Sequence, residues 1–113
     1  MTNNKQSVME MLQQGDVLIK KIEKIPEQAI SVEFSKNGSN VLAEGEATGH
    51  FHGVDESTTV LMEHEGVKYL RVEQDTEVTH QEHDKFSIPA GDYVIDIVQE
   101  YDHFEEEVRN VAD

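Results

Sequence analysis

The chain has 113 residues, no cysteine, and 24 acidic against 9 basic residues, a formal charge of −15 with histidine neutral. The missing thiols exclude disulfide scaffolds, thiolate zinc sites and cysteine nucleophiles. The negative charge argues against nucleic-acid binding through phosphates and against an anionic membrane surface, both of which call for Lys and Arg clusters.

Only 7 residues are aromatic, 3 Tyr and 4 Phe, so a small core of Val, Ile and Leu is expected. One domain over residues 1–113 fits the length. No apolar run reaches the roughly 20 residues of a bilayer span, and no apolar signal-peptide core follows Met1, so a cytoplasmic location is expected.

Residues 1–6 are polar and are expected to fray. Ser7 and Glu10 have capping-box spacing, and Gly15 suits a helix C-terminus, which predicts a short helix over 8–14. From Asp16 the period becomes that of strands. A strand is predicted over 16–25, ended by Pro26, and another over 29–34, with Ile30, Val32 and Phe34 on one face. Asn37-Gly38 is a hairpin signal because both residues tolerate positive φ, and 41–44 is the returning strand. Residues 45–53 hold three glycines around a short extended segment, a pattern of bulges and close backbone approach. Residues 58–64 and 67–72 form a hairpin closed by Glu65-Gly66. Short strands follow at 76–79 and 86–88, around a polar turn at 80–85. A turn at 89–92 leads into a long strand over 93–101, with Tyr93, Ile95 and Ile97 on one face. The tail, 102–113, has Asp102 and Glu105 at capping spacing and an apolar stripe of Phe104, Val108, Val111 and Ala112, which predicts a C-terminal helix. The fold expected is mainly β: a small antiparallel barrel or sandwich with a short helix at each end.

The chemistry lies in the histidines. His50 and His52 are two apart in an extended segment, so their side chains share a face and can serve one ion. His80 and His83 are three apart in a polar turn that can aim both rings one way. Imidazoles converging from two segments suit zinc, iron, nickel or copper. Glu56, Glu82 and Asp84 stand near enough in sequence to ligate or to orient a ring. His64 and His103 read as strand-end and helix residues.

At these residues the chain resembles two families. The segment Gly45, His50, Phe51, His52, Glu56 resembles the first cupin motif, and Ile88-Pro89-Ala90-Gly91 resembles the turn of the second. That resemblance implies a cupin-like barrel with His50, His52 and Glu56 as metal ligands. Val94 stands where the last cupin histidine belongs, so His83 or His80 would take its place. The whole chain is also similar to small uncharacterised bacterial and phage proteins. The shared pattern is Gly15-Asp16, the 45–52 segment, His80 to His83, Pro89 to Tyr93, and Gln99 to Asp102. No activity comes with that likeness.

Two functions are therefore expected from different classes. One is a metal-binding small β-barrel protein, a metal-dependent enzyme if a ligand position stays open, with ligands among His50, His52, His80, His83 and Glu56 and a divalent transition metal as cofactor. The other is a non-catalytic acidic protein that binds a basic partner protein. A homodimer is expected, because so small a domain buries limited apolar surface alone.

Overall fold

The computed structural model describes residues 11–45 and 49–97, and these are strands, turns and loops throughout. The helix expected over 102–113, the fraying of 1–6 and the first part of the helix expected over 8–14 lie outside these residues. The rest of that N-terminal helix is instead a strand, β1 (Met11–Gln14). The reason lies at Gly15, whose φ of 59° serves a helix C-cap and a hairpin turn alike. Here it folds β1 back onto β2 (Val17–Ile22), with Gln14 opposite Val17. The ladder with a strand whose Val17 and Ile19 are fully buried outweighs a local capping signal.

The remaining strands follow in order: β3 (Ile30–Ser31), β4 (Ser35–Lys36), β5 (Ser39–Glu44), β6 (Phe51–Asp55), β7 (Thr59–His64), β8 (Val67–Val72), β9 (Thr76–Val78), β10 (Phe86–Ile88) and β11 (Gly91–Ile97). Asn37-Gly38 joins β4 to β5 and Glu65-Gly66 joins β7 to β8. Both residues of each pair have positive φ, the mark of the tight turn whose twist matches a hairpin. The strand expected over 29–34 shrinks to Ile30–Ser31. Ile30 is 65% exposed, and only Val32 of the predicted face packs on the core. The chain leaves β7 there to reach the next sheet, where Phe34 O accepts the Val41 N–H.

Among the described residues all pairings are antiparallel. A six-stranded sheet runs β1-β2-β11-β8-β7-β3, a three-stranded sheet β4-β5-β6, and a two-stranded sheet β10-β9. No ladder joins the outer strands β1 and β3, so the sheets do not close and the expected cupin-like barrel is not formed. The three sheets share one core instead. Val17, Ile19, Leu61, Leu70, Val72, Tyr93 and Ile95 come from the large sheet, Leu42 and Val54 from the second, Val78 and Ile88 from the third. Among the described residues no helix is long and apolar enough to cross a membrane.

Two devices seat the three-stranded sheet against the large one. At Leu42 an extra residue enters β5, so the ladder passes from Val41↔Gly53 to Ala43↔His52. The bulge lets the successive residues Val41 and Leu42 both bury. Buried Asn40 on β5 also donates to Thr59 Oγ1 on β7 (2.9 Å), and Thr59 Oγ1 donates to Asp55 O (2.7 Å). Asn40→Leu is expected to lower stability by about 1–3 kcal/mol, because a donor between the sheets is lost and polar partners stay buried. Urea denaturation checks this, and a loss within a few tenths of a kcal/mol would show that the link is dispensable.

Candidate functional site

Gly53 is paired on both sides. Within its sheet it faces Val41, and on the other side it exchanges two hydrogen bonds with Thr79, each 2.9 Å. An antiparallel bridge sets the residue before Gly53 opposite the residue after Thr79. His52 and His80 are those residues, and their ring centroids lie 4.3 Å apart. A Cβ at Gly53 would come within 3.0 Å of the Phe51 ring and the Ser39 Cβ, so a larger residue would disturb this approach. The glycine in the strand pattern thus marks the bridge that assembles the site.

The other rings gather around this pair. His80 and His83 are 4.6 Å apart between centroids, His50 and His80 5.7 Å, and His52 and His83 5.9 Å. Together with Asp16, Ala43, Glu44, Gly45, Glu82 and Ile97 the four histidines line one cleft of about 440 Å³. His52 is 4% exposed, whereas His83 stands in the exposed turn after β9. Glu82 Oε2 is 3.5 Å from His50 Nδ1. The Glu82 backbone N–H donates to His80 Nδ1 (3.0 Å), which holds the turn. Gln81 reaches back to accept the Phe51 N–H (2.9 Å). Among the described residues no three His or carboxylate side chains already bring ligating atoms together around a common point.

Burial and the neighbouring rings disfavour the charged forms of His52 and His80. Burial, then the neighbouring His80, pulls His52 from 6.5 down to about 4, against the opposing pull of the Asp16 carboxylate. His80 is lowered as well, first by burial and then by His83 and His50.

Glu56 is not brought to this cleft. It lies in the turn after β6, four residues beyond His52 along an extended strand, a run of about 13 Å. It lines a separate cleft with Asn40 and Thr59. His64 closes β7 beside Glu65, Val94 sits within β11, and His103 lies outside the described residues. Asp84 contributes its backbone carbonyl, which accepts from the Gln14 amide (2.8 Å).

Three residues of the β1–β2 hairpin, Gln14, Gly15 and Asp16, complete the surroundings and carry no histidine-like signal in the sequence. Gln14 is 2% exposed and its Oε1 lies 2.7 Å from His52 Nδ1. Asp16 Oδ1 lies 3.5 Å from His52 Nε2. Gly15 lies against the rings: a Cβ there would sit 2.7 Å from His83 Nε2 and 3.3 Å from His52 Cε1. Gly15→Ala is expected to cost about 1 kcal/mol from the left-handed backbone alone. The exposed His83 ring can swing aside, so its NMR signals should shift while β2 and β11 keep theirs. Unchanged His83 shifts would refute the contact.

A family model described as Domain of unknown function (DUF8820) matches residues 13–98. The match spans every segment that lines the cleft, from Asp16 through His83 to Ile97. No curated protein and no solved structure matches the chain.

Proposed function

Because the chain belongs to the DUF8820 family of domains of unknown function, no activity comes with membership, and we propose from the site itself that the protein binds a divalent transition metal through His50, His52, His80 and His83. The observation that carries this reading is the gathering of four imidazoles from two distant segments in one cleft beside Asp16 and Glu82. Such crowding is unfavourable for protonated rings and suits neutral ones, the form that ligates. His80 and His83 sit on a turn, so ring rotation there can complete a shell around His52. Zinc, iron, nickel and copper all accept imidazole with carboxylate. An ion held by three protein ligands keeps a position for water and supports hydrolysis, whereas four protein ligands make the site structural.

The test is elemental analysis of untagged protein, followed by zinc titration of the chelated form. The expected result is about one equivalent per chain, lost in His52→Ala and in His80→Ala. Uptake below about a tenth of an equivalent, or full uptake by both variants, would overturn the reading.

A second reading rests on the charge of −15. It makes the protein an acidic partner of a basic protein, held by long-range attraction. Capture that is unchanged between low and high salt would refute it, since such attraction is screened.

A further inference from the structure

The Gln14 amide is held in one orientation. Its Nε2 donates to two backbone carbonyls, Val78 O (3.1 Å) and Asp84 O (2.8 Å). An amide turned the other way would set its oxygen against both carbonyls, three acceptors with no proton among them. Oε1 must therefore face His52, and His52 Nδ1 must carry the proton that bridges the 2.7 Å between them. In a neutral ring that leaves the lone pair on Nε2, which lies 3.5 Å from the Asp16 Oδ1 carboxylate oxygen. Two acceptors at that separation have no hydrogen bond to make, and a cation between them satisfies both. The spacing suits a metal: ligand bonds of about 2.0–2.1 Å at a tetrahedral angle set N and O about 3.4 Å apart.

His80 differs. Its Nδ1 already accepts the Glu82 N–H, so in the neutral ring its own proton sits on Nε2, and that bond must break and the proton move to Nδ1 before it can ligate through Nε2.

From this geometry we infer that His52 Nε2 and Asp16 Oδ1 form the prearranged half of the metal site, and that Gln14 is the positioning residue that selects the His52 tautomer. The inference rests on the metal-binding reading and adds to it a ligand, Asp16, and an order: His52 and Asp16 seize the ion, and the rings of the 80–83 turn close on it. Gln14 also ties that turn to β1 through Asp84 O, so one amide sets both the fixed ligand and the position of the closing ones. Outer groups of this kind are worth about 10- to 100-fold in metal affinity.

Nitrogen NMR of the imidazoles in the metal-free full chain, near neutral pH, reads the tautomer directly. The expected spectrum has His52 protonated on Nδ1 and unprotonated on Nε2. A wild-type His52 protonated on Nε2 would overturn the role of Gln14, with no variant needed. Zinc titration then separates the remaining claims. Asp16→Asn, at an exposed position, is expected to keep the tautomer and to bind zinc at least about tenfold more weakly. Gln14→Leu is expected to lose both the tautomer preference and about 10- to 100-fold in affinity. Equal zinc affinity in wild type and Asp16→Asn would overturn Asp16 as a ligand while leaving a histidine metal site standing. A wild type that takes up no zinc would overturn the metal reading and this inference with it.

Discussion

Acid is expected to weaken the metal-free fold before its carboxylates are neutralised, and His52 is a cause. The unfolded chain takes a proton on this residue as pH falls through 6.5, whereas the folded chain refuses it until about 4. In that window the unfolded state binds more protons, so stability falls with falling pH. A gap from 6.5 to about 4 corresponds to a loss of at most about 3 kcal/mol by the lower limit. His80 is lowered too and acts with the same sign. The relief of self-repulsion as 24 acidic residues protonate works the other way. The measurement is therefore a difference: urea unfolding of wild type against His52→Gln from neutral pH down to about 4. The stability gap between the two should narrow or reverse toward acid. A gap that stays constant with pH would show that His52 does not set acid stability.

A second large effect is expected in the core. Leu70 is fully buried on β8, flanked across the ladders by Leu61 on β7 and Tyr93 on β11. Leu70→Ala removes its side chain from the middle of the six-stranded sheet, where neither neighbour can collapse into the gap without leaving its own register. The expected loss is about 3 kcal/mol, within the 2–5 usual for such truncations. Against the roughly 5–15 kcal/mol of a whole domain that is a large share, and the melting temperature should fall by roughly 10–20 °C. Val67, at the start of the same strand, is 38% exposed and serves as the control. Val67→Ala should cost well under about 1 kcal/mol. Equal losses at the two positions would contradict the placement of the core on this face.

The hairpins were legible because their turns need residues that tolerate positive φ, and Asn37-Gly38 and Glu65-Gly66 lie between alternating runs. The same kind of signal misled at Gly15. Its positive φ fits the end of a helix as well as a two-residue turn, and only the ladder of Gln14 with Val17 decides between them. The barrel was not legible either way, since closure depends on pairing between strands far apart in the chain.

At the site, spacing pointed to His50, His52, His80 and His83, and the bridge between Gly53 and Thr79 explains why two distant pairs can share a cleft. Gln14 and Asp16 do not read as site residues, although Gly15-Asp16 stands in the pattern shared with the uncharacterised proteins, because a glutamine and an aspartate beside a turn look like solvent-facing residues. What distinguishes Gln14 is the burial of an amide with three hydrogen-bond partners, a property of the fold alone. The motif likeness placed Glu56 with the histidines, whereas it lies in the turn beyond β6 and lines a separate cleft.

Sheets that do not close must protect their edges. Among the described residues the outer strands are β1, β3, β4, β6, β9 and β10, of four, two, two, five, three and three residues, and β6 and β9 meet at the single Gly53–Thr79 bridge. An exposed edge invites a strand from another molecule, and a self-propagating cross-β stack needs a segment of about six or seven residues. None of these margins is that long. The long strands, β2, β5, β7, β8 and β11, all lie inside their sheets with a neighbour on each side. Aggregation is thus resisted by the ordering of strand lengths, long within and short without, and a charge of −15 adds repulsion between any two copies that approach.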